Sequence, residues 1–200
     1  YVGMPLNQNI NLHCQSNEFK KNKYKKTIFL YGGSQGSIPL IKKFLLLIDN
    51  IDQIYLAELH IYIQSPVSMH KLLREFLNNK KISYKIKEFY NNIDEILINS
   101  NIVFCRAGAG TINDLIKFNL PSIIIPLPNS IHNHQLQNAK YLSEHNAAIL
   151  MHENNFNIKD NSNILKELLM DKKRIELMKK ALGNYSLPDA NKEMLSKMLL

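Results

Sequence analysis

Apolar residues along this chain come in short runs, and the runs alternate between two spacings. Continuous or alternating apolar stretches occur at 26–31 (KTIFLY), 58–64 (ELHIYIQ), 83–87 (SYKIK), 101–105 (NIVFC), 122–126 (SIIIP) and 147–151 (AAILM). Their length and β-branched content predict strands. The unbroken SIIIP run, opened by Pro121, reads as a strand buried on both faces. Between the runs, apolar residues three and four apart predict helices over 38–48, 67–78, 93–98, 111–117 and 134–145. Three more, over 159–169, 171–182 and 188–199, close the chain. Pro39 is tolerated because it falls in a first helical turn. Residues 1–10 form a lead-in punctuated by Gly3 and Pro5, and 14–26 (CQSNEFKKNKYKK) read as a solvated, Lys-rich loop.

Strands alternating with helices of about ten residues imply an α/β fold, a Rossmann-like parallel sheet with helices on both faces. The chain shows no internal repeat and no Ser/Pro linker. The expectation is a single domain over 1–200, with about 1–25 as lead-in and loop and about 185–200 as a C-terminal helix. In such sheets ligands bind outside the carboxyl ends of the strands, where strand order reverses.

Two strand-to-helix junctions carry the candidate chemistry. Phe104 to Leu115 reads FCRAGAGTINDL, and Thr27 to Ser37 reads TIFLYGGSQGS. Small residues let a ligand approach the backbone, and Gly108 and Gly110 can take positive φ where other residues would clash. The helix after each junction aims free N–H groups and the positive end of its dipole at the loop, which suits a phosphate. Two such corners suggest a ligand with a diphosphate in its middle. The first corner, Gly32-Gly33-Ser34-Gln35-Gly36-Ser37, lacks the third glycine of a dinucleotide fingerprint, and the second strand ends in Gln64-Ser65 where that fingerprint needs an acid. The Gly-Lys-Ser/Thr of a P-loop is missing too.

Composition refines this only slightly. Hydrophobic content of 45% with 21% charged residues is ordinary for a globular protein. A formal net charge of +8 fits an anionic ligand or membrane surface as well as a plain solvated Lys-rich exterior. The lysines are dispersed and no groove-reading motif occurs, so nucleic acid is not expected as a partner. Cys14 and Cys105 have no metal-site spacing, which points to a reducing compartment and, at Cys105, a buried thiol. No acidic cluster has metal-ligand spacing, so neither metal nor cofactor is expected. No apolar run reaches the ~18 residues that span a bilayer. The start at Tyr1-Val2-Gly3 shows no leader and reads as the interior of a longer protein.

Three motifs together, GGSQG after the first strand, CRAGAGT with an acid three positions on, and PLPN…NHQLQNA (Pro126 to Ala139), resemble the MurG family. These are the N-acetylglucosaminyltransferases that convert lipid I to lipid II in bacterial peptidoglycan synthesis. The resemblance runs from Val2-Gly3-Met4-Pro5 to Pro188-Asp189-Ala190 and concerns the C-terminal, sugar-nucleotide-binding half of a GT-B enzyme. It implies that the N-terminal half, with the acceptor site, the membrane contact and a candidate general base, lies outside these residues. No catalytic residue is therefore assigned within the chain.

The resemblance implies site roles by position. Ser34, flanked by Gly33, Gln35 and Gly36, would contact the UDP diphosphate; alternatively it is a helix N-cap. Gly108, Ala109, Gly110 and Thr111 would line the same diphosphate. Asp114 matches the acid that grips the ribose hydroxyls, usually Glu in the family; alternatively Thr111-x-x-Asp114 is a near capping box. Phe89 and Tyr90 stand where the family packs uracil, although an aromatic pair at a strand end equally suits a core. His134 and Gln135 match contacts to the sugar hydroxyls and pyrophosphate, with Asn138 one turn on. Asn7 replaces an Arg near the nucleotide, a contact that Arg106 could supply unless it braces the loop instead.

The implied reaction is inverting transfer of GlcNAc from UDP-GlcNAc to the C4 hydroxyl of undecaprenyl-pyrophosphoryl-MurNAc-pentapeptide. This half would supply donor binding without turning over alone. The implied partners are UDP-GlcNAc, lipid I through the other domain, and the cytoplasmic face of the inner membrane as a peripheral protein. Two other readings are open: a different GT-B nucleotide-sugar enzyme (transferase or epimerase), and a non-catalytic UDP-sugar-binding remnant.

Overall fold

Strand β1 (Lys26–Tyr31) lies at the middle of the molecule because its side chains are apolar on both faces, as burial on two sides requires. The computed structural model describes residues 26–33 and 37–185. Beside β1 on one side run β2 (Leu59–Gln64) and then β3 (Ser83–Lys87); on the other run β4 (Ile102–Cys105), β5 (Ser122–Ile124) and β6 (Ala148–Leu150). All neighbouring pairs are parallel, and the order is β3-β2-β1-β4-β5-β6. The sheet of the expected α/β fold is thus present.

The period-two alternation of the strands sorts the core into two layers. Ile28 and Leu30 of β1, Leu59, Ile61 and Ile63 of β2, and Ile102 and Phe104 of β4 face one way. They pack under α1 (Ile38–Asp49), α3 (His70–Asn79) and α7 (Ile158–Met170). Phe29, Val103, Cys105 and Ile124 face the other way, under α4 (Ile93–Ile98), α5 (Ala109–Lys117) and α6 (His134–Ser143). The last described helix, α8 (Lys172–Leu182), serves both layers, giving Met178 to the first and Leu182 to the second. Phe44 of α1 meets Phe104 of β4 edge to face at 5.1 Å, which seats α1 against the strand next to its own.

This arrangement makes the switch point explicit. From adjacent strands β1 and β4, whose ends are in register at Tyr31 and Cys105, the chain leaves to opposite faces, into α1 and α5 respectively. In open parallel sheets the ligand crevice lies between two such departures.

Several expected elements differ. Helix α5 begins at Ala109, two residues before the expected Thr111, because Gly108 is its N-cap. The expected 67–78 helix is a single 3₁₀ turn, Val67–Met69, running into α3. A four-residue helix, α2 (Gln53–Leu56), was not anticipated, being too short to show a period. Strand β5 ends at Ile124, ahead of Pro126, which has no N–H to give a ladder. The lead-in at 1–25 and the expected helix over 188–199 lie outside the described residues.

Candidate functional site

The β1 corner turns at Gly33, which holds φ +87°, a conformation that favours glycine. Its carbonyl accepts from the Gln64 side chain at 3.1 Å, so the end of β2, which has no acid, instead anchors the turn. Ser34, Gln35 and Gly36 lie outside the described residues, as does Asn7. The chain returns at Ser37, whose side chain accepts from Leu40 N and caps α1. The alternative reading of Ser34 as that cap is therefore replaced: the signal was the Ser37-Ile38-Pro39 sequence, with proline in the first turn.

The β4 corner is built differently from the expectation. Gly108 has φ −65° and Gly110 lies within α5, and Gly33 is the one glycine with positive φ among the described residues. A Cβ placed at Gly110 would meet nothing within 4 Å among the described residues, and one at Gly108 would meet only Thr111 Oγ1 at 3.8 Å. Neither backbone angle nor packing demands glycine there. Helix α5 has no side-chain cap at its N-terminus and no acid in its first turn, so its leading N–H groups and its dipole face the crevice.

Starting α5 at Ala109 also removes the capping-box reading of Asp114, which stands well inside the helix rather than in its first turn. Asp114 is half-buried. Burial, and then the charge of Asp94 on α4, push its pKa up from 3.8 to about 6, against the pull of Lys117. Tyr31 at the end of β1 shares this corner: its hydroxyl is hydrogen-bonded by Thr111, and burial followed by the Asp114 charge raises its pKa. Sequence reasoning missed Tyr31. Only its place as the last residue of β1, opposite Cys105, could have pointed to it.

Arg106 is 5% exposed, and each of its three guanidinium nitrogens donates to a protein oxygen. Nε and Nη2 donate to Ser37 Oγ, and Nη1 donates to Ile125 O, Pro126 O and the Glu153 carboxylate. Of its two expected roles, the geometry supports the brace. Tyr90 is 4% exposed, lies edge to face with Phe29 at 5.8 Å, and donates its hydroxyl to Lys85 O. Its ring is core, and only Phe89, at 59% exposed, offers an aromatic face at that strand end.

The loop from β5 to α6 holds Asn129, His132 and Asn133 in the left-handed region. His134 begins α6 and is exposed. Gln135 Oε1 accepts from Leu127 N, shaping that loop, and Asn138 Nδ2 donates to Ala107 O, fastening α6 to the β4 corner. Each amide keeps its other end free of these two bonds and half-buried at the crevice. Gly33, Arg106, Gly108–Thr111, Asp114, Gln135 and Asn138 thus gather around the carboxyl ends of β1, β4 and β5. Among the described residues no group of three or more His, Cys, Asp or Glu could hold a metal ion.

The family model for the glycosyltransferase family 28 C-terminal domain matches residues 27–194. The chain belongs to that family. A relative from Rickettsia massiliae (strain Mtu5) is 34% identical over 155 residues, covering 75% of this chain and 40% of the relative. One from Prochlorococcus marinus subsp. pastoris (strain CCMP1986 / NIES-2087 / MED4) is 34% identical over 176 residues, covering 86% and 44%. Both are named UDP-N-acetylglucosamine–N-acetylmuramyl-(pentapeptide) pyrophosphoryl-undecaprenol N-acetylglucosamine transferase. The crystal structure of Acinetobacter baumannii MurG superposes with a TM-score of 0.78 at 19% identity, over 92% of this chain and 54% of that one. A putative UDP-N-acetylglucosamine 2-epimerase from Listeria monocytogenes shares the fold at a TM-score of 0.60 and 13% identity. This family 28 chain thus spans about half the length of the proteins it matches. Among its described residues no helix is long and apolar enough to cross a membrane.

Proposed function

We propose that this family 28 domain binds UDP-GlcNAc in the crevice between β1 and β4 and is the donor half of a transferase acting on undecaprenyl-pyrophosphoryl-MurNAc-pentapeptide. The observation that carries the reading is the β4 corner. Two glycines whose backbone and surroundings do not require glycine precede and open an uncapped helix. What they leave room for is a ligand against the backbone.

In this reading the diphosphate lies between the Gly33–Ser37 turn, with Ser34, Gln35 and Gly36, and the N–H groups of Ala109, Gly110 and Thr111. As the glycosidic bond breaks, negative charge grows on the departing UDP, and those oriented N–H groups and the α5 dipole stabilise it without reorganising. Asp114 accepts from the ribose hydroxyls. Phe89, with the backbone of Phe89-Tyr90, borders the uracil. His134, the free end of Gln135 and the free end of Asn138 address the sugar. The acceptor hydroxyl, its base and the contact with the inner leaflet belong to the part of the relatives that this chain does not match. Pinning both substrates in the cleft between halves contributes through orientation.

Calorimetry with UDP-GlcNAc, UDP-GalNAc and UDP tests the reading. Preferential binding of UDP-GlcNAc is the expected result. Indifference to the sugar would favour another nucleotide-sugar enzyme of this fold, and no binding to any of the three would overturn the reading.

A further inference from the structure

We propose that Arg106 and Glu153 act as a positioning pair that sets the spacing of the two anion corners, with neither side chain touching the ligand. The inference rests on the crevice being a nucleoside diphosphate site. Arg106 is the first residue after β4, yet its guanidinium reaches the beginning of α1, where Ser37 Oγ accepts from Nε at 3.3 Å and from Nη2 at 3.2 Å. The same Ser37 hydroxyl caps α1, and Ser37 O receives the Ile41 N–H at 2.9 Å. The start of α1 is therefore tied to the end of β4. Nη1 fastens the end of β5 through the carbonyls of Ile125 and Pro126.

Glu153, in the loop after β6, completes the arrangement. Its carboxylate pairs with Nη1, the two side chains being 16% and 6% exposed. Its backbone carbonyl accepts from Lys43 Nζ of α1 at 3.1 Å, and Lys43 also lies over the Phe156 ring at 4.4 Å. Arg106 and Glu153 thus join the start of α1 to the segments that follow β4, β5 and β6. A guanidinium with Nε, Nη1 and Nη2 all serving protein oxygens has little left to offer a phosphate. Removing its buried counter-charge leaves an unpaired cation that must find another anion or shift.

The two possible roles of Arg106 make opposite predictions for Glu153→Gln. If Arg106 were a phosphate ligand, neutralising its partner would free the guanidinium and raise affinity for UDP. If the pair positions the corners, the same change loosens them, and a ligand that must touch both loses most. Displacements of a fraction of an ångström suffice for a loss of about 10-fold. UDP and UMP are the probes, measured by calorimetry on the full chain. The expected result is that Glu153→Gln weakens UDP by about 10-fold while UMP, which needs only one corner, changes by less than about 2-fold. Ser37→Ala breaks the tie from its other end without altering charge, and is expected to lower the UDP-to-UMP affinity ratio in the same direction, by about 3-fold. Stronger UDP binding, unchanged UDP binding, or equal losses for UDP and UMP in Glu153→Gln would each overturn the inference. Failure of the unaltered chain to bind UDP would instead overturn the proposed function, and this inference with it.

Discussion

Asp114 is where a single side chain decides most. Its carboxyl is raised to about 6 by burial and by Asp94, so the folded chain holds that proton more tightly than the unfolded chain does. The stability this provides is complete below the ordinary Asp value and is lost as pH rises through about 6. At neutral pH the folded state therefore carries an ionised carboxylate it does not favour, and Asp114→Asn should stabilise the unliganded chain by about 1 kcal/mol, allowing for solvent screening. Denaturant titration at pH 7 would show the gain, and it should shrink at pH 4. Ligand binding runs the other way. In the proposed site ribose hydroxyls donate to the ionised form, so affinity for UDP should rise about 10-fold between pH 5 and pH 7, and Asp114→Asn should flatten that profile while weakening binding at pH 7. A carboxylate costly to the fold, with a proposed role in the filled site, was legible in the sequence only as the acid three positions after CRAGAGT. Its capping alternative fell once α5 was seen to start at Ala109.

At the scale of elements, strand and helix positions were legible because period two and period 3.6 rarely mimic each other over six or more residues. The junctions were less so. Where a helix begins is set by caps, and Ser37 and Gly108 took those roles instead of Ser34 and Thr111. Long-range ties such as Gln64 to Gly33 and Arg106 to Glu153 link residues far apart in the chain, which no local pattern encodes. The glycine content of the β4 corner was legible, but its reason was not positive φ. That difference can be tested. Gly110 lies in the first turn of α5 with open space around it among the described residues, so Gly110→Ala should leave the fold intact and raise stability by about 0.5–1 kcal/mol. The added methyl stands where the diphosphate would meet the backbone, so the same change should lower UDP affinity by about 10-fold or more. Thermal melts and calorimetry on one variant give both readouts. A variant that is more stable and still binds UDP fully would show that the corner has another purpose.

For the whole molecule, the proposed donor site supplies one half of a catalytic apparatus. The crevice lies at the one edge of the sheet where α1 and α5 part, and the side chains around it suit phosphates and hydroxyls. Among the described residues, the polar side chains there besides the brace and the core are the Gln135 and Asn138 amides, the Tyr31 and Thr111 hydroxyls, the His134 imidazole and the Asp114 carboxylate, whose proposed tasks are holding the sugar and the ribose. In the proposed inverting transfer, a base that activates an acceptor hydroxyl faces the anomeric carbon from the side opposite the departing UDP. With the proposed diphosphate corners on the departing side, the proposal takes the base from the part of the relatives that this chain does not match. The expected behaviour of these 200 residues is therefore asymmetric: saturable binding of UDP-GlcNAc with neither transfer to a lipid I analogue nor release of UDP above the uncatalysed rate. Adding an acceptor half from a relative in trans should restore transfer only if the two halves dock across this edge. Restoration should fail when Gly110→Ala or Asp114→Asn is introduced into this half. Transfer by the 200 residues alone would mean that a base lies on the same side as the phosphates, and would remove the reason for assigning it to the other half.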